Sequence, residues 1–168
     1  MENERHTRKI YRLQEYDYSS CGVYFITICT ANREKIFWNI TPNEIEELSE
    51  FVTHPNNVPL SKEGKIAEDG IRKISIVYPM LSVEEYVIMP DHLHMLIFIH
   101  REKEMSNVKT PTISRVIQQF KGYVSKKVGR PIWQKSFYDH VIRNQDDFEE
   151  HIKYIYQNPY KWFYENET

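Results

Sequence analysis

The chain has 168 residues, a net charge of −2, 40% apolar residues and 27% charged ones, the profile of an ordinary folded protein of domain size. Its longest apolar run, Val23 to Cys29, is far too short to cross a bilayer, and the opening Met-Glu-Asn-Glu-Arg-His lacks the apolar core of a signal peptide. Two cysteines, Cys21 and Cys29, form no recognisable metal or redox motif, so the expected home is a reducing cytoplasm and no membrane partner is expected.

The charge is unevenly placed. Between Met105 and Tyr138 stand Lys109, Arg115, Lys121, Lys126, Lys127, Arg130 and Lys135, and no acid. A second basic group, Arg5, Arg8, Lys9 and Arg12, lies in segment 1–15. Such asymmetry predicts a polyanion-binding face on an otherwise acidic body, although a solvated basic helix face has the same pattern.

Taken in order, the first element is Val23 to Thr30, β-branched and aromatic throughout, which predicts a central strand. Arg33 to Ile40 reads as a short extended arm. Thr41-Pro42-Asn43-Glu44 has a cap, a proline at the first helical position and a glutamate three residues after the cap, and so predicts a helix over 41–52. That helix and its loop, 41–60, read as an insertion. A second helix is expected from about Ser61 to Val77, with Ile66, Ile71, Ile74 and Val77 inward, although Gly64 and Gly70 weaken it. Strands follow at Val83–Met89 and His92–His100 with hairpin spacing between them. Thr112 to Val128 has the apolar period of a helix, Ile132 to Ile142 alternates as a strand, and a last helix is expected from about Asn144 to Asn158, closed by Pro159. Without the insertion and the last helix the order is βαββαβ. The predicted fold is therefore α+β: a ferredoxin-like antiparallel sheet with helices on one face, in a single domain over 1–168.

Within Met89-Pro90-Asp91-His92-Leu93-His94 two histidines flank one apolar residue at the start of a strand. Strand side chains alternate, so His92 and His94 share a face, and two neighbouring imidazoles are half of a metal site. On the last helix Phe148, Ile152 and Ile155 form a stripe for the sheet. Tyr154 lies roughly 100–120° away from that stripe, with Asn158 one turn above it. A phenol is a poor nucleophile at neutral pH, but it becomes useful against a phosphodiester that a divalent cation polarises. An amide oxygen from Asn158 would extend the shell of two imidazoles.

These stretches, with Tyr16-Asp17-Tyr18, Trp133-Gln134, Asp139-His140-Val141-Ile142-Arg143-Asn144 and Tyr154-Ile155 before Asn158-Pro159, resemble the Y1 transposases of the HUH superfamily, above all the REP-associated tyrosine transposases. The resemblance runs from about residue 11 to residue 162. It implies a ferredoxin-like domain that cuts single-stranded DNA beside a hairpin. Tyr154 would be the nucleophile, giving a 5′-phosphotyrosine link and a free 3′-hydroxyl. His92, His94 and Asn158 would hold a divalent ion, Mg²⁺ or Mn²⁺. Relatives often have Asn before the first histidine, where this chain has Asp91. The implied partner is hairpin-bearing single-stranded DNA at the nucleoid, and a homodimer that exchanges the tyrosine helix is an open alternative.

Arg115, Lys121, Lys126, Lys127, Arg130 and Arg143 are the expected DNA-binding residues. His140 and Arg143 have two readings, DNA contact or packing at a strand end. Trp133, Phe137 and Tyr138 are read either as base-stacking or, in preference, as core residues. Tyr156 is the alternative nucleophile. Two other functions fit the same residues: a hydrolytic metal-dependent nuclease, and a nucleic-acid-binding module without chemistry.

Overall fold

The computed structural model describes residues 22–40, 44, 55–100 and 109–166. The expected helix over 41–52 and the basic segment 1–15 lie outside these residues, apart from Glu44. Four strands, β1 (Gly22–Cys29), β2 (Leu81–Ile88), β3 (His92–Ile99) and β4 (Tyr138–Val141), make one sheet in the order β2-β3-β1-β4. All three pairings are antiparallel. With α1 (Lys62–Val77) after β1 and α2 (Ile113–Val128) after β3, this is the expected βαββαβ arrangement, followed by α3 (Gln145–Asn166).

Register assigns the two faces. Tyr24, Ile26 and Ile28 of β1 pair with Ile97, Met95 and Leu93 of β3, and all six are buried. Tyr86, paired with Met95, sends its hydroxyl to Glu68 of α1 at 2.8 Å, so α1 covers this face. α2 packs on α1 where Gly70 meets Phe120: a Cβ on Gly70 would stand 2.9 Å from that ring. The glycines that weakened the expected helix are thus its points of closest approach. Gly64 is tighter still, since an added Cβ would lie 2.2 Å from the Phe37 carbonyl oxygen.

The helix ends follow the sequence. Ser61 caps α1 by accepting the Gly64 N–H at 3.0 Å, and Thr112 caps α2 by accepting the Arg115 N–H. Gly129, at φ 94°, takes the left-handed position that ends α2.

Several expectations change. Val77 is 59% exposed and Ile66 only half-buried, whereas Ala67 is buried, because α1 turns its Ala67–Ile71–Ile74 stripe to the sheet. The strand expected over Ile132–Ile142 shrinks to Tyr138–Val141. Before it, the chain is fastened irregularly: Ala31 N–H donates to Ile132 O, and Gln134 N–H to Cys29 O. The Gln134 and Ser136 carbonyls turn to the Lys121 ammonium at 2.8 and 2.9 Å instead of to a strand. The arm expected over Arg33–Ile40 follows a 3-10 turn at Ala31–Arg33, and its Phe37 and Trp38 enter the core.

Pro159 does not close α3, which continues to Asn166. A proline inside a helix costs about 3 kcal/mol. Downstream, Phe163 is fully buried and Trp162 meets the Trp38 ring at 5.0 Å. Burying one such aromatic stabilises by about 1.5–3 kcal/mol, and aromatic pairs add about 0.5–1.5 kcal/mol. Packing therefore carries the helix through the proline.

Candidate active site

The second sheet face carries the chemistry. In register across β4, β1 and β3 it shows His140 beside Phe25 beside Leu96, then Tyr138 beside Thr27 beside His94, then Cys29 beside His92. α3 lies over this face antiparallel to β3: Phe148 meets Phe98 at 5.9 Å, and Tyr154 meets His94 at 5.2 Å between ring centroids. Phe148, Ile152 and Ile155 pack on the core as expected, Ile155 fully buried.

β3 is held by β1 on one side and β2 on the other, so the histidine strand is fixed at both edges. Its entry turn is pinned as well. Met89 N–H donates to His92 O at 2.7 Å, Thr30 N–H to Asp91 O at 2.9 Å, and Phe37 N–H to Pro90 O at 3.0 Å. The His92 and His94 rings stand 4.8 Å apart, edge to face.

Each ring is anchored through Nδ1. His92 Nδ1 lies 2.6 Å from Asp91 Oδ1, and His94 Nδ1 lies 2.7 Å from Thr27 Oγ1. A carboxylate can only accept, so Nδ1 of His92 is the donor of this bond, which leaves Nε2 as the ring atom turned toward a ligand. With Nδ1 on the Thr27 hydroxyl, His94 likewise has Nε2 as its other ring atom for a ligand. Anchoring one ring nitrogen to orient the other is how ligating histidines are held. Asp91 stays ionised: burial pushes its carboxyl up, but the His92 hydrogen bond and the His92 and Arg33 charges outweigh that and hold it below the ordinary value.

Arg33, which sequence reasoning passed over, closes this end of the site. Its Nε donates to Asp91 Oδ2 at 2.9 Å, its Nη1 to Cys29 Sγ at 2.8 Å, and its Nη2 lies 3.4 Å from His92 Nδ1. Asn32 and Arg33 both have φ 55°, a left-handed conformation costing roughly 1–2 kcal/mol per residue. No motif announces such a residue; only the fold brings it to Asp91.

Tyr154 is 44% exposed and stands between two clefts. One, of about 390 Å³, is lined by His92, His94, Arg33, Tyr154, Asn158 and Lys161 among others. The other, of about 400 Å³, is lined by Phe25, Thr27, Tyr138, Glu150 and His151 with His94 and Tyr154. The Asn158 amide nitrogen is buried without a hydrogen-bond partner among the described residues. A buried amide group left unsatisfied marks a place for a ligand, and a half-turn of the amide would present Oδ1 there instead. Two Nε2 lone pairs and an amide oxygen are a donor set that fits a divalent cation.

The expected DNA-binding residues are not gathered at this site. Arg115, Lys121, Lys126 and Lys127 stand on α2, in the layer over the opposite sheet face. Lys126 and Lys127 are exposed. The Lys121 ammonium is held by two carbonyls, and burial pushes its pKa down to about 8. Arg130 pairs with Glu34 at 2.9 Å. Arg143 is exposed at the mouth of α3, and its backbone N–H donates to Asp147. Trp133 and Phe137 pack in or against the core, as preferred, and Tyr138 is exposed in the second cleft. Tyr156 is only partly buried, with its hydroxyl 3.3 Å from Glu85, and does not line either cleft.

At the start of α3 a further group gathers. His140 Nε2 lies 2.9 and 3.0 Å from the two Asp147 carboxylate oxygens, and His151 Nδ1 donates to the Asp147 main-chain carbonyl at 2.7 Å and lies 3.2 Å from Oδ1. The two imidazoles stack at 4.6 Å. Burial pushes the Asp147 carboxyl up, but the bonds from His140 and the Arg143 N–H, with the charges of both histidines, hold it below the ordinary value. Among the described residues no helix is long and apolar enough to cross a membrane.

An uncharacterized protein of Haemophilus influenzae is 28% identical over 176 residues, covering 94% of this chain and 91% of its own length. The REP-associated tyrosine transposase of Escherichia coli is 28% identical over 79 residues, 47% of this chain and 44% of that protein. Among solved structures, that of a REP-associated tyrosine transposase bound to a REP hairpin superposes with a TM-score of 0.62 at 22% identity, over 90% of this chain and 73% of the other, and so has the same fold. The family model described as "Transposase IS200 like" matches residues 18–158. This chain belongs to the IS200-like transposase family.

Proposed function

We propose that the protein is a metal-dependent single-strand DNA transesterase of the REP-associated kind, which cuts and rejoins DNA beside a hairpin through a phosphotyrosine. The observation that carries this reading is the meeting of strand and helix: Tyr154 stands 5.2 Å from His94 over a cleft that His92 and Asn158 also line. Two histidines fixed by the sheet and a tyrosine exposed beside them are the parts such a reaction needs.

In the proposed reaction the Tyr154 oxygen attacks the scissile phosphorus. The bond from tyrosine oxygen to phosphorus forms as the bond from phosphorus to the 3′ oxygen breaks. The phenolic proton is lost to solvent and the departing 3′ oxygen gains one, so the products are a 5′-phosphotyrosine and a free 3′-hydroxyl. Energy kept in the ester allows a second 3′-hydroxyl to reverse the step without a nucleotide cofactor. A divalent ion, Mg²⁺ or Mn²⁺, held by His92, His94 and Asn158 would supply charge for the phosphate oxygens. Thr27 and Asp91 keep the two imidazoles turned inward. Arg33 and Lys161, both lining the cleft, are placed to meet a phosphate chain. The exposed Lys126, Lys127, Arg115 and Arg143 would add salt-dependent affinity for DNA further from the break.

A labelled single-stranded oligonucleotide with a REP-like hairpin tests the proposal. With Mn²⁺ the protein is expected to yield a band that migrates as a protein–DNA adduct on a denaturing gel, together with a free 3′-hydroxyl fragment. A 5′-phosphate product without adduct would show that water is the nucleophile, and intact DNA would show a binding module.

A further inference from the structure

We infer that His140, Asp147 and His151 form a second cation site, distinct from the one assigned to His92, His94 and Asn158. It is suited to a late first-row divalent metal such as Zn²⁺. One donor atom from each of the three residues comes within 4.8 Å of the others. They reach this distance from two elements, His140 from edge strand β4 and the other two from the first turns of α3.

The sheet register makes the arrangement. His140 is paired with Phe25, so it rises from the same face as His94. On α3, Asp147, His151, Tyr154 and Asn158 are spaced four, three and four residues apart, and so form one stripe within an arc of roughly 60°. The half of the stripe nearer the helix start falls over His140, the other half over His92 and His94. Phe25 stands between them, 4.6 Å from the His151 ring and 5.2 Å from that of His94.

The donors are prepared for a cation. The imidazoles are nearly parallel, 14° between planes; His140 Nε2 lies against the carboxylate, and His151 Nδ1, 3.2 Å from Oδ1, donates to the Asp147 main-chain carbonyl at 2.7 Å, which fixes that ring. Asp147 Oδ2 also accepts the Arg143 N–H at 3.0 Å, and the Asp147 N–H is held by Asn144 Oδ1 at 2.8 Å. Those bonds involve no metal-binding nitrogen and would persist as support for a ligating carboxylate. Side-chain exposures of 42%, 16% and 20% for His140, Asp147 and His151 leave an approach from solvent. Two imidazoles with one carboxylate suit Zn²⁺, Ni²⁺ or Co²⁺. An ion here ties β4 to the start of the helix that carries Tyr154 and Asn158.

The test uses tag-free protein and Zn²⁺ or Co²⁺ alone, read by equilibrium dialysis, the visible absorption of Co²⁺ and thermal melting. The His92→Ala/His94→Ala variant is expected to retain one equivalent of Zn²⁺ and to melt higher with it. His140→Ala and Asp147→Asn, made in that background, are expected to weaken this equivalent at least ~tenfold and to abolish the rise in melting temperature. Circular dichroism shows whether each variant is folded, and His140→Gln serves if the alanine variant is not. Retention of the equivalent in folded His140 and Asp147 variants, or its absence from the His92/His94 variant, would overturn the assignment. Neither result depends on DNA cleavage, so the proposed function stands or falls separately.

Discussion

His92 and His94 under Tyr154 and Asn158, and His140 under Asp147 and His151, are two groups that one stripe of α3 makes with the sheet, and they differ in how their polar atoms are spent. At the helix start the carboxylate is enclosed: both imidazoles and a backbone N–H converge on Asp147. Nearer the C-terminus the hydrogen bonds run within the strand layer, from the histidines to Thr27 and Asp91, and the helix brings an exposed tyrosine and an amide nitrogen without a partner among the described residues. A group that gathers two imidazoles on one carboxylate ties strand to helix, whether directly or through a cation. One whose bonds stop short is ready for a substrate. The same helix face therefore carries a clasp and, two turns on, a reactive end.

The largest effect is expected from Tyr154→Phe, which removes one oxygen and leaves the ring on His94. Adduct formation is expected to fall at least ~10³-fold, as for loss of other covalent nucleophiles, with hairpin affinity unchanged in a gel-shift titration. His94→Ala is next: cleavage falls to background and titration with Mn²⁺ no longer alters it. Thr27→Val removes the hydroxyl on His94 Nδ1 and frees that ring, and is expected to weaken Mn²⁺ binding about 10–100-fold, measured as the concentration giving half-maximal cleavage. Gly64→Ala sharpens the contrast from the other sheet face. It drives a methyl against the Phe37 carbonyl and is expected to cost about 1–3 kcal/mol in urea melts without changing the metal response.

The smallest effect concerns acid. The Asp147 carboxyl is held below its ordinary value, so its contribution is full above the unfolded carboxylate pKa and is lost as pH falls through the lower, folded one. His140→Gln is expected to make acid unfolding begin at slightly higher pH. An unchanged acid limb would mean that the clasp adds nothing to stability.

Much of this was legible in the chain. The alternation of Val23–Thr30 and His92–Ile99 placed both histidines on one face, and the helical period placed Asn158 over Tyr154, because both rules are local. Strand β4 was overdrawn because the apolar residues between Ile132 and Ile142 read as a strand, yet Ile132 and Phe137 join the core on a stretch whose Gln134 and Ser136 carbonyls go to Lys121 and not to a neighbouring strand. Pro159 misled for a similar reason: its local cost is outweighed by the distant Trp38. Arg33 was invisible, since its role depends on a left-handed turn after β1 and on Asp91 some sixty residues away. The pairing of His140 with Asp147 and His151 needed the register of β4 against β1, which no spacing in the sequence encodes.

The central claim is that Tyr154 becomes bonded to DNA. Mass spectrometry of the protease-digested adduct, formed on a hairpin-bearing single strand with Mn²⁺, tests it directly. The account predicts the nucleotide 5′-phosphate on the phenolic oxygen of Tyr154. Modification at Tyr156 or Tyr160, or cleaved DNA with no modified tyrosine, would contradict it.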